Sequence, residues 1–176
     1  VKIDNYFYYS RTEEWKQYEI ICRKKERLEN EEEIILDLNE LAKGKKYFDI
    51  GNYKVSTNHN FLAYTVDTNG SESYTLQIKD LNTDQLLGDK VNNIGAAIEW
   101  ANDNFTLLYT TLDETKRPYK LFRHTLGTDT NDDALIYEEK DLAYALSIDK
   151  TKDKDYLILT LGSSTTSEVY FLNSFT

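Results

Sequence analysis

The chain has 176 residues, 21 Lys+Arg against 31 Asp+Glu and a formal net charge of -10, a length that suits one domain. With 40% hydrophobic residues it can bury a core, so wholesale disorder is excluded, and the acid excess argues against a surface that neutralises nucleic-acid phosphates. No apolar run approaches the ~18 residues of a membrane-spanning helix, and a lone cysteine, Cys22, excludes an internal disulfide and a thiolate zinc cage.

Short aromatic and aliphatic runs recur from one end to the other. With 14 Tyr and seven Phe, they fit half-buried pleated strands. The first are Tyr6-Phe7-Tyr8-Tyr9 and Tyr18-Glu19-Ile20-Ile21-Cys22. Asp37 with Glu40 three residues on makes a capping-box-like pair; Leu38, Leu41 and Ala42 give a short apolar face, and Gly44 suits the end, so one helical turn is expected over Asp37–Gly44. Strands are then expected at Phe61–Val66 and Tyr74–Ile78, joined through Asp67-Thr68-Asn69-Gly70, whose Asn-Gly pair favours a tight hairpin. Asn82-Thr83-Asp84 and Asn102-Asp103-Asn104 are further Asx-rich turns. Leu107–Thr111, Lys120–His124, Tyr156–Thr160 and Glu168–Phe171 complete an all-β reading.

Three segments, Val55–Ile78, Ile98–His124 and Ser147–Leu172, share one order: small polar residue, Asx turn, apolar strand ending in Thr, turn, second strand. Their strand threonines, Thr65, Thr110 and Thr160, stand 45 and then 50 residues apart, and Ser10 holds the place one unit earlier. Periods of about 40–50 residues with about four strands each are the mark of propeller blades. Blade-like units are expected at about 6–38, 52–87, 97–139 and 143–176, making a partial propeller of three to four blades. The chain has no Met, begins at Val1 and stops soon after a strand, so it is expected to be a piece of a larger protein, and an arc of a larger propeller rather than a small complete one.

The residues carry a resemblance as well. Tyr8-Tyr9-Ser10-Arg11, Tyr18 to Lys25, Leu36 to Gly44 and Tyr47-Phe48 resemble the oligopeptidase B branch of the prolyl oligopeptidase family of serine peptidases. The similarity continues through Leu62–Asp67 with Gly70, Glu72 and Tyr74-Thr75-Leu76, then Trp100 with Asn102-Asp103, Arg117-Pro118, Arg123–Thr128 and Tyr137–Asp141. Two departures lie in loops: Thr57-Asn58-His59-Asn60 replaces a usual Pro-Asp turn, and Trp15 a usual Gly. The resemblance implies a cytoplasmic enzyme in which a seven-bladed propeller caps an α/β-hydrolase domain carrying a Ser, Asp and His triad. It further implies cleavage of short peptides after Lys or Arg, with the propeller limiting substrate size. This whole chain would be propeller, with the hydrolase domain as its partner and short basic peptides as the substrates of the whole.

The chain's own chemistry agrees with a non-catalytic role, and no catalytic, cofactor-binding or metal residue is assigned to it. No G-x-S-x-G nucleophile elbow occurs; Gly162-Ser163-Ser164-Thr165 is nearest and reads as a hairpin turn. His59 and His124 read as structural or solvent-facing, and Cys22 as a buried inert thiol. Asp67-Thr68-Asn69-Gly70 and Asp129–Asp133 lack the calcium-loop pattern and read as turns; Glu29–Glu33 reads as a solvated edge. The net charge of -10 suits a cap that concentrates basic peptides. Two rival readings are a stand-alone propeller-like module that binds a peptide or protein, and a glycosidase with paired carboxylates in a central pocket. An open arc leaves unpaired strands at its ends, so self-association is expected.

Overall fold

The structure is a computed structural model that describes Val1–Phe175. It divides into two compact units, Val1–Phe48 and Asp49–Thr176. The first unit is a four-stranded antiparallel sheet in sequential order: β1 (Lys2–Ile3), β2 (Tyr6–Arg11), β3 (Ile20–Lys25) and β4 (Glu33–Asp37). Its buried residues include Ile20, Ile21, Cys22, Ile35 and Leu36, so β3 and β4 carry the apolar runs. Across β3 and β4 the buried Arg23 donates from Nε and from a terminal nitrogen to the two oxygens of Glu33, both at 2.7 Å. This bidentate pair is what allows a guanidinium to sit inside the sheet.

The expected helical turn is present as α1 (Leu38–Ala42). Asp37 caps it, accepting from the backbone N–H groups of Asn39 and Glu40. The capping box is only half made, because Glu40 turns to the Lys43 ammonium at 2.6 Å. Asn39 locks the turn to the preceding loop: its Nδ2 donates to Tyr18 O and its Oδ1 accepts from Tyr18 N.

The second unit holds ten strands. One sheet runs β5 (Asp49–Val55), β6 (Phe61–Asp67), β7 (Tyr74–Asp80), β8 (Gln85–Trp100), β9 (Thr106–Leu112), β10 (Pro118–Thr125) and β11 (Ala134–Glu138); the other is β12 (Ala145–Lys150), β13 (Tyr156–Gly162) and β14 (Ser167–Asn173). Strand β8 has 16 residues and serves two sets of partners. It pairs with β7 from Asp80↔Gln85 to Tyr74↔Ile94, then with β9 from Ile94↔Thr111 to Trp100↔Leu107, with a register break between Ile94 and Ile98. The seven strands are therefore two four-stranded sheets sharing strand β8, and among the described residues no sheet closes on itself.

Burial explains why some strands read as alternating and others as continuous apolar runs. Residues 106–110 of β9 are all buried, because Leu107 and Tyr109 pack with Ala63, Ile78, Ile98 and Trp100, while Leu108 packs with Leu121, Ile148, Leu157 and Leu159. A sheet covered on both faces needs apolar residues at successive positions. In β13 only Leu157, Leu159 and Leu161 are buried, which gives simple alternation.

The expected tight hairpin at Asn69-Gly70 is instead a six-residue loop between β6 and β7. Gly70 takes φ +76°, but Asp67 organises the loop by accepting from the N–H groups of Asn69, Gly70 and Glu72 at 2.8–3.0 Å. Thr65 and Thr110 are both fully buried beside glycines, Gly51 and Gly95, at which a Cβ would meet the threonine Oγ1 at 2.8 and 2.5 Å. Both glycines lie at register shifts of their strands, where this close approach excludes a side chain.

Candidate functional site

The second unit repeats one turn three times, each before the second strand of a sheet. Ser56 N donates to Phe61 O, Ala101 N to Thr106 O and Thr151 N to Tyr156 O, at 2.8–2.9 Å. Within each, His59 N, Asn104 N and Lys154 N close a shorter loop onto Ser56 O, Ala101 O and Thr151 O. His59, Asn104 and Lys154 all take positive φ, 62°, 65° and 69°. These equivalent residues keep the 45- and 50-residue spacing of Thr65, Thr110 and Thr160. The Thr57–Asn60 departure thus preserves the turn rather than altering it.

Side chains stitch the turns together in sequence. Asn104 Oδ1 accepts from Asn58 N at 2.7 Å, and Thr57 Oγ1 donates to Asn102 Oδ1 at 3.1 Å. Asn102 Nδ2 then donates onward to Lys154 O and Ser174 Oγ at 2.6 and 2.8 Å. Lys150 also donates to Asn102 Oδ1 at 3.0 Å. Burial, assisted by Lys154 and Lys54, holds the Lys150 ammonium below the ordinary lysine value, with Glu99 acting against them.

The first strands of the three sheets meet at one lysine. Lys54 Nζ on β5 lies 2.7 Å from Glu99 Oε2 at the end of β8 and 3.0 Å from Asp149 Oδ1 on β12. Glu99 is almost wholly buried, with a side-chain exposure of 7%, and its other oxygen accepts from Trp100 N at 3.0 Å. Burial opposes the charge on Lys54, but Glu99 and Asp149 outweigh it and hold the ammonium above its ordinary value. Trp100 completes the tie by donating from Nε1 to Lys54 O at 2.9 Å.

A second buried cluster lies among β8, β9, β10 and β11. His124 is fully buried; its Nδ1 stands 2.7 Å from Asp133 Oδ1 and its Nε2 3.0 Å from Asp89 Oδ1. Each carboxylate has another donor: Tyr109 Oη gives its proton to Asp133 Oδ2 at 2.8 Å, and Gly127 N to Asp89 Oδ1 at 2.6 Å. Both ring nitrogens thus face a carboxyl oxygen, one on each side of the ring. Burial and Asp133 push the Tyr109 hydroxyl well above its ordinary value. The set superficially resembles a charge-relay pair, but both ring nitrogens and both Asp133 oxygens are engaged within it, and Asp89 Oδ1 meets both His124 and Gly127. It is a latch between strands, in keeping with the structural reading of His124.

The remaining sequence candidates are placed as follows. Ser163 lies in the β13–β14 hairpin, where its N–H and Oγ both donate to Thr166 O, so Gly162–Thr165 is a turn. Cys22 is fully buried, and burial pushes its thiol up. Asp129 caps a 3-10 turn at Thr130–Asp132. Glu32 reaches back to Tyr9 and Arg11, and Glu33 holds Arg23, so part of Glu29–Glu33 is structural rather than simply solvated. Among the described residues, no group of three or more His, Cys, Asp or Glu side chains is placed to hold a metal ion. Sequence reasoning missed Lys54, Glu99 and Asp89 and read Asp133 only as part of a turn; the 45- and 50-residue spacing, which also separates Lys54, Glu99 and Asp149, was the one signal that pointed toward the lysine tie, and nothing in the sequence pointed to the pairing of Asp89 and Asp133 with His124.

The turn carboxylates set an acid limit. Burial pushes the Asp67 carboxyl up, but the N–H groups of Asn69, Glu72 and Gly70 prevail and hold it below its ordinary value. Asp103 is likewise lowered against burial by Thr106 and Phe105. The unfolded chain takes up these protons near pH 3.9, the folded chain only at lower pH. Their stabilisation is therefore present above about pH 4 and fades as pH falls through the folded values. The urea midpoint is expected to fall on acidification below that point, less steeply for Asp67→Asn; identical acid slopes for the two proteins would contradict this.

Comparison with known proteins gives a consistent result. The family model for the prolyl oligopeptidase N-terminal β-propeller domain matches residues 1–176. The chain is 40% identical over 181 residues to Protease 2 of Moraxella lacunata, covering 99% of this chain and 26% of that protein. It is 38% identical over 139 residues to dipeptidyl aminopeptidase BI of Pseudoxanthomonas mexicana, covering 78% and 19%. Among solved structures, oligopeptidase B from Leishmania major superposes with a TM-score of 0.89 at 33% identity, covering 96% of this chain and 24% of that one. The chain spans about a quarter or less of the length of these relatives.

Proposed function

The chain belongs to the prolyl oligopeptidase family, as its N-terminal β-propeller domain, and from that premise we propose that it is the non-catalytic cap of a serine oligopeptidase, gating short peptides toward a separate α/β-hydrolase domain. The observation that carries the reading is the Lys54 tie, which binds the first strands of three successive sheets into one wall. A wall fixed in this way can exclude large substrates without taking part in chemistry. In this reading β5 to the first half of β8, its second half to β11, and β12–β14 are three blades of a seven-bladed propeller, and β1–β4 is a blade of its own.

Cleavage after Lys or Arg is the proposed specificity, in the cytoplasm. It is supported by the likeness to oligopeptidase B and by the net charge of -10, which favours basic peptides. The test uses the full-length peptidase and Arg-containing peptides of increasing length. The expected result is rapid cleavage of short peptides and sparing of long unfolded chains; equal rates on both exclude gating.

This chain by itself is also proposed to self-associate. Strand β14 has one strand partner, and Val169 and Phe171 on it are 48% and 64% exposed, beside Tyr156 at 48%. Such an edge recruits other chains. Light scattering at rising concentration is expected to show a mass above 20.6 kDa; a constant monomer mass at high concentration removes the proposal.

A further inference from the structure

Asn69 is the one asparagine in the sequence that glycine follows. It is exposed, and Gly70 after it takes φ +76° with no Cβ to shield its nitrogen. Asn102 and Asn104, in the corresponding turn of the next sheet, precede Asp103 and Phe105, whose side chains crowd that position. Asn69 Oδ1 accepts from Ser71 N at 3.0 Å, an Asx turn that folds the side chain back along the Gly70 peptide. Its Nδ2 donates to no group among the described residues. Asp67, 2% exposed, supplies the third part: its Oδ1 accepts from Gly70 N at 3.0 Å and from Asn69 N at 2.9 Å, while its Oδ2 accepts from Glu72 N at 2.8 Å. A buried carboxylate is thus held against the N–H whose proton must leave before Gly70 N can bond to the neighbouring amide carbon.

We propose that the loop between β6 and β7 is a self-modifying site, at which Asp67 takes the Gly70 N–H proton and Asn69 closes onto Gly70 as a succinimide that water then opens. Gly70 N bonds to Asn69 Cγ, the Cγ–Nδ2 bond breaks, and the nitrogen departs as ammonia with the proton that Asp67 held. Water adds to one of the two ring carbonyls and the ring C–N bond there breaks. The product is aspartate or, with the main chain rerouted through the side chain, isoaspartate. Water is the only co-reactant. Either product sets a second carboxylate close to Asp67, and isoaspartate lengthens the main chain by a methylene where Asp67 collects its N–H donors. The loop thereby loses its organiser as the protein ages. The inference concerns one loop and does not depend on the peptidase reading, so its failure leaves that reading standing.

Peptide mapping of the folded chain during warm incubation at neutral pH tests this, with isoaspartate counted by an isoaspartyl methyltransferase and labelled S-adenosylmethionine. Asn69 is expected to convert before every other asparagine, and at least as fast as in the urea-unfolded chain. In water labelled with heavy oxygen, the product should carry one labelled atom at that residue. Asp67→Asn keeps an oxygen to accept from the loop N–H groups but is a poor base. It is expected to slow conversion at least about tenfold in the folded chain, a modest effect for a positioned base, and to leave the rate in urea unchanged. No product at Asn69 by the time the unfolded chain is half converted overturns the proposal. So does a folded Asp67→Asn chain that converts as fast as the native one or faster.

Discussion

Replacing His124 with alanine is expected to destabilise the chain by about 3–5 kcal/mol, because two buried carboxyl groups lose the ring that hydrogen-bonds them both. Asp89 and Asp133, with side-chain exposures of 8% and 2%, would keep only Gly127 N and Tyr109 Oη as donors. Two carboxylates would then face one another across an empty site. A loss of that size is a large share of the ordinary 5–15 kcal/mol of folding free energy. His124→Gln, which can donate to only one carboxylate through its amide, should lie between alanine and the native protein. Urea unfolding at neutral pH measures both, and a loss below about 1 kcal/mol for alanine would contradict the latch.

Lys54→Met is expected to cost about 2–3 kcal/mol, somewhat less than a fully buried ion loss because Lys54 keeps a side-chain exposure of 27%. The cost arises at Glu99, which would stay buried with Trp100 N as its remaining donor. Asp149, 71% exposed, should contribute little, since water screens it. The double variant Lys54→Met/Glu99→Leu removes both charges and should recover most of the loss, because an apolar pair of similar volume can replace a buried ion pair. Additive losses in the double variant would show that Lys54 and Glu99 act independently.

Residue patterns revealed much of the architecture, for reasons that particular elements make plain. The strands at 61–66, 74–78, 107–111 and 156–160 were legible because apolar side chains there fill faces that pack. The turn repeat was legible because its turns are rich in Asx and other polar residues, with His59, Asn104 and Lys154 at the left-handed positions. β11 and most of β8 were not: β11 has exposed Leu135 and Ile136, and β8 mixes Gly88, Asp89, Lys90 and Asn92 with its apolar residues. The Asn69-Gly70 loop was misjudged because Asp67, a neighbour outside the pair, sets its length. The latch and the Lys54 tie join residues 9 to 95 positions apart, and distances of that kind come only from the assembled sheets.

The central claim, a propeller cap without chemistry of its own, is tested most directly by hydrolysis of a short arginine chromogenic peptide by this chain and by the full-length peptidase. Turnover by the full-length protein alone is the predicted result and places the chemistry outside these residues. Turnover by this chain, surviving in purified and re-purified samples, would contradict the claim.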